Sequence, residues 1–470
     1  MFIGRTAEGK KFESFLKDDS QIAALIYGRR RIGKTELIKH EIGKGDVSYV
    51  YYECKETSEE NNVKSIAVLV GESFNIPVPS YERVEDIMEF IFSYAGTYTE
   101  TANFILVLDE YTYLRKTVKG LDSILQSTID KYREKTKVKI IICGSFIDTM
   151  KTLLEKQNPL YGRIDLTIKL EEMNYYDSAG FYKGFSLEDK VRLYSVFGGV
   201  PYYNRLIDNK KSVKQNIIDL IASDGARLEN EVSMNLKSEL SKIENANEVL
   251  EALSRGYVRF GDILSESHVT SSPTLADVLE KLSKMEIVEK VSPINEKNNR
   301  KKTGYYIKDR LSLFYYKYIF MNSSRMKIMD PEMFYERFIE QDFEAAFVPK
   351  GFEKICTEFL ILKNISGELE ELFDDIGSYY YDDPVSKTNG QFDIVTHDPK
   401  GYIFYEVKFH KKPVGQKLIN DEIKQVKATG FDCYKYGFFS RSGYEKNVKG
   451  TTEKVCLYEL DDLYKDDHLV

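Results

Sequence analysis

The stretch GRRRIGKT at residues 28–35 constrains the fold of this chain more than any other. It satisfies the pattern GxxxxGK[ST], follows the apolar run IAALIYG and precedes the helical run ELIKHEI. A glycine-rich turn between a buried strand and a helix N-terminus presents backbone N–H groups to phosphates. We therefore predict that Gly28 and Gly33 shape the loop, that Lys34 binds the β- and γ-phosphates of ATP and that Thr35 ligates Mg²⁺.

Polar groups stand at the ends of two later apolar runs. FILVLDE ends in Asp109 and Glu110, and KIIICGS ends in Ser145. A phosphate-binding loop needs an acidic partner at the end of a neighbouring buried strand. We expect Asp109 to hold Mg²⁺ largely through water, Glu110 to activate the attacking water and Ser145 to lie beside the γ-phosphate. A simple helix cap is the alternative for Ser145.

The alternation of short apolar runs with helical runs continues to about Leu170 and is typical of a parallel sheet covered on both faces. The 470 residues suggest about two to four domains. We predict an α/β P-loop core over residues 1–172, a helical lid over 173–238, a winged helix over 239–312 and a second α/β domain over 313–470. Three helical stretches followed by two strands around a polar loop indicate the winged helix.

Composition excludes several other classes of protein. With 42% hydrophobic and 30% charged residues, the chain is expected to fold and not to be wholly disordered. No apolar run approaches the roughly 20 residues that cross a bilayer, and the N-terminus lacks a signal-peptide core, so we expect a cytoplasmic protein without membrane contact. The five scattered cysteines form no CxxC pair and the five histidines no HExxH pattern, so a divalent ion must rest on carboxylates and phosphates.

Six short motifs occur in an order that resembles the archaeal-type ATPase family, a branch of the STAND ATPases related to AAA+ proteins. They are FIGRTAE, GRRRIGKTEL, LDEYTYL, CGSFIDTM, PLYGRID and GGVPYY, and they extend over roughly residues 2 to 203. The resemblance implies that Arg163 senses or stabilises charge on the γ-phosphate and that Pro201 contacts the nucleotide base. It also implies that Gly4 and Arg5 lie on the segment entering the nucleotide site. Whether Arg163 acts within its own subunit or across an interface stays open.

The run QFDIVTHDPKGYIFYEVKFHKK carries the second chemical signal. Two β-rich runs flank a turn at residues 398–401, which predicts a hairpin. If His397 pairs with Tyr402, Asp393 falls opposite Glu406, and two opposed carboxylates repel one another. A divalent ion between them would relieve this repulsion. Lys408 projects from the same face as Glu406 and would complete a site for attack on a phosphodiester.

This spacing resembles the PD-(D/E)xK fold of restriction endonucleases over roughly residues 351 to 457. The resemblance implies a further metal-ligating Glu on a preceding helix, for which GFEKICTEFL offers Glu353, with Glu358 as the alternative. The chain departs from the family pattern at Phe392, which stands where a proline precedes the aspartate.

DNA is the partner that these features favour. Residues 406–454 contain 11 Lys and Arg against 6 Asp and Glu, which suits a nucleic-acid backbone, although a solvated surface explains such a bias equally well. The net charge of −8 opposes indiscriminate DNA coating. In the winged helix, the loop at residues 295–303 is basic enough to touch phosphates, whereas the mixed charges of the third helix suit base reading poorly. A rigid connector is the alternative role for this module.

We therefore interpret the chain as an ATP-binding and ATP-hydrolysing switch that controls a Mg²⁺-dependent nuclease-like domain acting on DNA. The family resemblance suggests roles in genome defence or mobile elements, and leaves room for self-association or a partner protein. One alternative is a nucleotide-dependent adaptor whose nuclease fold is inert. The other is a DNA-remodelling motor of the AAA+ kind.

Overall fold

The computed structural model describes residues 2–45, 47–98, 104–240, 244–383, 388–450 and 454–465. The chain divides into two compact units. The first comprises residues 1–172 and 200–202, and the second comprises residues 173–199 and 203–470. Among the described residues, no helix has the length and apolar character that a bilayer crossing requires.

The first unit is built on a five-stranded sheet in which every adjacent pair is parallel. Its strands are β1 (Ala23–Tyr27), β2 (Ser48–Glu53), β3 (Phe104–Asp109), β4 (Val138–Gly144) and β5 (Leu166–Lys169). The order across the sheet is β2-β3-β4-β1-β5. Because β4 lies between β1 and β3, the segments that follow these three strands meet at one edge of the sheet.

The helices of the first unit are α1 (Thr6–Lys17), α2 (Lys34–Ile42), α3 (Glu59–Phe74), α4 (Val84–Tyr98), α5 (Tyr111–Thr117), α6 (Leu121–Tyr132) and α7 (Ile147–Lys151). Every residue of β1, β3 and β4 is buried, as their continuous apolar runs predict for a covered parallel sheet. The predicted mixed α/β fold class is confirmed. The sequence pattern did not indicate β5, since this short edge strand has only one buried residue.

The second unit begins with helices that polar residues cap. They are α8 (Tyr175–Ala179), α9 (Leu187–Phe197), α11 (Val213–Leu220) and α12 (Glu231–Glu239), while α10 (Pro201–Asn204) includes residues of both units. The side chains of Asn174, Ser186 and Ser212 accept hydrogen bonds from the first turns of α8, α9 and α11. Such caps satisfy N–H groups that have no partner inside the helix.

Three further helices and a two-stranded antiparallel sheet follow. They are α13 (Glu244–Ser254), α14 (Phe260–Glu266), α15 (Ser272–Lys284), β6 (Val288–Val291) and β7 (Gly304–Ile307). This is the element order from which the winged helix was predicted. The cap of α15 is Ser271, whose hydroxyl accepts from the backbone N–H of Thr274. Along the exposed face of α15, Lys281 pairs with Asp277 at 2.8 Å and Lys284 with Glu280 at 3.0 Å.

The remainder of the second unit contains the helices α16 (Arg310–Phe314), α17 (Ser323–Met326), α18 (Pro331–Tyr335), α19 (Val348–Ser366) and α20 (Gln416–Ala428). Its strands are β8 (Asp375–Asp383), β9 (Thr388–Asp398), β10 (Gly401–Lys408), β11 (Cys433–Ser440) and β12 (Val455–Glu459). They form a mixed sheet in the order β12-β11-β10-β9-β8. The β8–β9 and β9–β10 pairs are antiparallel, and the β10–β11 and β11–β12 pairs are parallel.

The β9–β10 hairpin has the register that its sequence predicts. His397 pairs with Tyr402, and the ladder continues to the pair of Ile394 with Tyr405. Phe392 and Phe404 pack in the core on one face of the sheet, with ring centroids 4.8 Å apart. This register makes Asp393 and Glu406 the next positions along their strands.

The loop between β6 and β7 lies against β8. The backbone N–H of Ile294 donates to the carbonyl of Ser378 at 2.8 Å, Asn295 exchanges hydrogen bonds with the backbone of Tyr380, and Lys297 pairs with Asp375 at 2.5 Å. The loop thereby covers the edge strand of the sheet, which would otherwise present unpaired backbone groups. Asn295 and Lys297, which the sequence offered as phosphate contacts, are thus already engaged within the unit.

Helix α9 packs closely on α19. An ideal Cβ built on Gly351 would lie 1.9 Å from the Oγ of Ser195 and 2.6 Å from its Cβ. Only a residue without a side chain fits at this approach, so Gly351 sets the spacing of the two helices.

Replacing Gly351 with alanine tests this packing. We expect G351A to lower the free energy of unfolding by about 1–3 kcal/mol, because the added methyl group overpacks the contact with Ser195. The matched control is G261A in α14, where a Cβ meets no atom within 4 Å and helix propensity favours alanine by about 0.5–1 kcal/mol. Urea unfolding measures both variants, and equal stabilisation of the two would contradict the close approach.

Candidate functional site

The side chain of Lys34 folds back onto the loop between β1 and α2. Lys34, the first residue of α2, is 5% exposed, and its Nζ donates hydrogen bonds of 2.9 Å to the carbonyls of Gly28 and Arg29 and to the Oγ of Ser145. Burial lowers the pKa of this ammonium group. Because all three of its donors are used, a phosphate must replace at least one of these acceptors.

Gly33, the N-cap residue of α2, has a left-handed conformation with φ 94°. This geometry, which favours glycine, turns the chain from the loop into the helix. The first N–H groups of α2 have no partner inside the helix, and the positive end of its dipole lies at the loop. These N–H groups stand at the loop for which the sequence predicts phosphate binding, and that binding stays a prediction.

Asp109, at the end of β3, lies next to Thr35. The Oγ1 of Thr35 donates to the Oδ2 of Asp109 at 2.9 Å, and the hydroxyl of Tyr51 on β2 donates to the same oxygen. Asp109 is 5% exposed. The hydroxyl and the carboxylate that were predicted to hold Mg²⁺ are thus brought together, and both are hard oxygen ligands of the kind that Mg²⁺ prefers.

Glu110 and Ser145 contact each other at the same edge of the sheet as Asp109 and Thr35. The Oγ of Ser145 donates to the Oε1 of Glu110 at 2.6 Å, while Glu110 has a left-handed backbone with φ 50°. The same Oγ accepts from Lys34. Ser145 therefore links the loop lysine to the candidate general base. The helix-cap alternative for Ser145 is wrong, since Phe146 is the N-cap residue of α7 and makes no side-chain cap.

Two residues that the family resemblance implied also lie at this loop. Arg5 is 7% exposed and donates to the carbonyl of Ile32 at 3.1 Å. A Cβ built on Gly33 would lie 3.8 Å from the ring of Pro201. Beside it, the guanidinium of Arg31 lies 4.0 Å from the ring centroid of Tyr202.

Arg163 does not lie at the phosphate-binding loop. The structure therefore contradicts a role for Arg163 at the γ-phosphate of its own subunit. Its guanidinium binds the carboxylate of Asp130 through hydrogen bonds of 2.8–3.0 Å. The nearby Asp165 accepts from the backbone N–H groups of Ile22 and Ala23, at the start of β1. A five-residue strand spans about 16 Å, so Arg163 lies at the sheet edge opposite the phosphate-binding loop.

A second candidate site is a cavity of about 250 Å³ in the second unit. Four carboxylates from four elements line it: Glu353 of α19, Asp393 of β9, Glu406 of β10 and Glu422 of α20. Gln391 and Gln425 add amide groups. The structure therefore brings together all three carboxylates that the sequence predicted for an ion at this end of the chain.

Two lysines accompany these carboxylates. The Nζ of Lys350 lies 2.8 Å from Glu353 and 3.0 Å from Asp393. Lys408 pairs with Glu406 and lies 3.4 Å from the Oε1 of Glu422. Although burial alone would lower it, the pKa of Lys408 is raised by its hydrogen bond to Glu406 and by the charges of Glu406 and Glu422. Lys408 thus stays a cation beside the cavity.

Burial and, after it, the neighbouring charge of Asp393 raise the pKa of Glu353 to about 7, against the lowering effect of Lys350. Burial also raises the pKa of Glu406, against the effect of Lys408. Both pKa shifts mean that ionising these carboxylates costs free energy unless a further cation is bound nearby.

Glu358, the alternative to Glu353, has a different role. Its carboxylate accepts from the backbone N–H of Tyr175 and from the hydroxyl of Tyr194, both at 2.9 Å. Glu358 therefore joins α19 to α8 and α9 through hydrogen bonds. Glu353, and not Glu358, lines the cavity.

The oxygen donors of the cavity suit a hard divalent ion. Across the residues that the structure describes, however, no group of three or more His, Cys, Asp or Glu has a ready-made metal-binding arrangement. The contacts of Lys350 and Lys408 show why the carboxylates are not free, since each lysine is paired with two of them.

Sequence reasoning missed Tyr51, Lys350 and Glu422. Lys350 precedes Glu353 by three residues, a spacing at which helix side chains are neighbours, so this contact had a signal in the sequence. Tyr51 and Glu422 had none, because their positions depend on which strand borders β3 and where α20 packs.

Comparisons with known proteins give two family matches along the chain. Residues 2–206 match a family described as an ATPase domain predominantly from Archaea. Residues 315–426 match a family of archaeal and bacterial proteins of unknown function. The second match contains Glu353, Asp393, Glu406 and Glu422. The N-terminal part of the chain is thus similar to ATPase domains, as its motifs predict.

An uncharacterized protein of Methanocaldococcus jannaschii is 28% identical over 477 residues, which cover 98% of this chain and 100% of that protein. A Walker-type ATPase of Pyrococcus abyssi has a similar structure, with a TM-score of 0.51 and 18% identity, over 67% of this chain and 96% of the other. The Aeropyrum pernix ORC2 protein in its ADPNP–ADP complexes gives a TM-score of 0.46 at 13% identity, over 66% and 91% of the two chains. The likeness to the Pyrococcus ATPase supports the fold.

The raised pKa of Glu353 predicts a pH-dependent stability. Since the folded pKa of about 7 exceeds the ordinary 4.5, ionisation of Glu353 disfavours the folded state, and its contribution to stability is lost as pH rises from about 4.5 to 7. E353Q removes this loss. We expect its advantage in urea-unfolding midpoint over the wild type to grow from pH 5 to pH 8 without divalent ions.

The control for this prediction is E280Q, which alters a carboxylate that is 67% exposed on α15. Its midpoint should follow that of the wild type across the same range. An E353Q midpoint that shifts equally at pH 5 and pH 8 would show that Glu353 ionises normally.

Proposed function

We propose that this protein is an ATP-binding and ATP-hydrolysing switch that controls a Mg²⁺-dependent nuclease-like site acting on DNA. The observation that carries the nuclease half is the convergence of Glu353, Asp393 and Glu406 in one cavity. The ATPase half is supported by the family match over residues 2–206 and by the contacts of the phosphate-binding loop.

In the ATPase half, each polar group at the sheet edge has a role. Lys34 exchanges its contacts with the loop carbonyls for phosphate oxygens, and Thr35 and Asp109 would hold Mg²⁺. Mg²⁺, when bound, neutralises charge that develops on the phosphates. Glu110 accepts a proton from the attacking water, and Ser145 orients Glu110 through its hydroxyl.

In the nuclease-like half, Glu353, Asp393 and Glu406 would hold the divalent ion. Such an ion polarises a phosphodiester and makes its bound water a better nucleophile. Lys408 keeps its positive charge and faces the negative charge of a phosphate. The resemblance to PD-(D/E)xK nucleases is supported by the placement of Glu353 on a helix beside the hairpin that carries Asp393 and Glu406.

DNA is proposed as the substrate because basic residues share an element with the cavity. Helix α20 contributes Glu422 and Gln425 to its lining, and it also carries the exposed Lys424 and Lys427. Lys411 and Lys412 are exposed in the segment between β10 and α20. Lysines at such a site neutralise the phosphates of a nucleic-acid backbone.

Arg163 has a proposed role only across an interface. Its position opposite the phosphate-binding loop removes the role within one subunit, while its side chain is 29% exposed. A second copy of the chain would therefore receive Arg163 at its own nucleotide, where a planar cation stabilises the charge of phosphoryl transfer.

Substitutions in the loop test the ATPase half. K34A should abolish ATP binding, because it removes the cation that joins the loop to Ser145. E110Q should bind ATP but hydrolyse it about 100-fold more slowly, since it removes the general base. Fluorescent-nucleotide titration and phosphate release measure these effects, with K11A on the exposed face of α1 as the control. Unchanged ATP affinity in K34A would reject the loop assignment, and wild-type turnover in E110Q would remove Glu110 from its role.

Substitutions in the cavity test the nuclease half. D393A and E406A should each weaken Mn²⁺ binding by at least about tenfold and abolish ion-dependent cleavage of DNA, because each removes an ion ligand. D421A, an exposed neighbour on α20, is the matched control. Calorimetry with Mn²⁺ and cleavage assays with ATP, with ADP and without nucleotide provide the measurements.

The two alternatives are separate outcomes of these assays. An adaptor with an inert nuclease fold predicts no ion-dependent cleavage in any nucleotide state and the same background for D393A and E406A. A DNA-remodelling motor predicts fast, DNA-stimulated ATP turnover with strand displacement and without cleavage.

A further inference from the structure

Lys350 places its ammonium group between two carboxylates of the acidic cavity. Its Nζ lies 2.8 Å from the Oε2 of Glu353 and 3.0 Å from the Oδ2 of Asp393. Although burial alone would lower it, the pKa of Lys350 is raised by Glu353 and Asp393, so the group is charged. The nuclease-like motif gives no role to this lysine.

The ammonium group contacts one oxygen of each of two carboxylates that are proposed to hold the divalent ion. Carboxylate oxygens bind Mg²⁺ or Ca²⁺ at about 2.0–2.6 Å, so an ion shared by Glu353 and Asp393 must lie between them. Lys350 holds that position with one positive charge. An ion that bridges these two oxygens would therefore take the place of the ammonium group.

The backbone at Lys350 is held by the packing of its neighbours, whereas its side chain is largely exposed. The next two residues are anchored, since Gly351 lies against Ser195 and the ring of Phe352 packs 5.1 Å from that of Phe409. The Lys350 side chain is 62% exposed and has a flexible four-carbon stem. Its ammonium group can therefore move into solvent without rearrangement of α19.

We propose that Lys350 is a built-in cation that occupies the ion position of the cavity and competes with the divalent ion for Glu353 and Asp393. The inference rests on the proposed nuclease-like site and adds a device that sets its ion affinity. Lys350 keeps Glu353 and Asp393 paired until the ion concentration suffices to displace the lysine.

Competition between Lys350 and the divalent ion predicts a result that a purely structural role of Lys350 does not predict. Removing the ammonium group leaves Glu353 and Asp393 with unrelieved repulsion, so the ion-free protein becomes less stable while the ion meets no competitor. Loss of Lys350 should therefore increase ion affinity. A lysine that merely supports the cavity would, when removed, decrease it.

The test is Mn²⁺ binding to the full-length chain without nucleotide, measured by calorimetry. We expect K350M to bind Mn²⁺ about three- to tenfold more tightly than the wild type, in line with the modest strength of partly exposed ion pairs. K350R, which keeps the charge, should bind as the wild type does. K354M, which removes another lysine one turn further along α19, is the matched control.

A second measurement keeps the test valid if K350M is unstable. Thermal unfolding with and without Mn²⁺ should show a lower midpoint for K350M than for the wild type in the absence of the ion, and a larger increase on adding it. K350Q replaces K350M if the latter does not fold.

The outcomes separate this inference from the proposed function. Wild-type Mn²⁺ binding with unchanged or weaker binding by K350M would overturn the role of Lys350 and leave the nuclease-like site standing. Binding by K350M but not by the wild type would support the competition in its strongest form. Absence of Mn²⁺ binding by both would overturn the ion site and the inference with it.

Discussion

A charge that is held away from water is stable only when opposite charges or hydrogen-bond partners meet it. Both units meet this requirement with lysines. Lys34 reaches two loop carbonyls and Ser145 in the first unit, and Lys350 reaches Glu353 and Asp393 in the second. These contacts stabilise the ligand-free protein, and they are the contacts that a phosphate or a divalent ion has to replace.

The order of strands determines which groups meet in this way. In the first unit, β4 lies between β1 and β3, so Ser145 contacts both Lys34 from the loop after β1 and Glu110 from the end of β3. In the second unit, the antiparallel register of β9 and β10 makes Asp393 and Glu406 the next residues after the pair of Ile394 with Tyr405. Helices α19 and α20 then add Glu353 and Glu422 to the same cavity.

Parts of the chain that the sequence assigned to separate domains share contacts within the second unit. The β6–β7 loop covers the edge of β8, and Glu358 of α19 binds Tyr175 and Tyr194 of α8 and α9. The helix that carries Glu353 and Lys350 is therefore held in place by helices that the sequence placed in the lid. The geometry of the acidic cavity depends on packing outside the sheet that forms it.

The sequence by itself determined the features that rest on local pattern: the strand–loop–helix at Lys34, the covered parallel sheet and the hairpin register that places Asp393 beside Glu406. These follow from apolar periodicity and turn residues, which act over a few neighbours. Only the tertiary structure decided that Arg163 lies at the far edge of the sheet, that Glu353 and not Glu358 faces the cavity, and that Tyr51 contacts Asp109. Such contacts join elements distant along the chain, and no local pattern encodes which of them pack together.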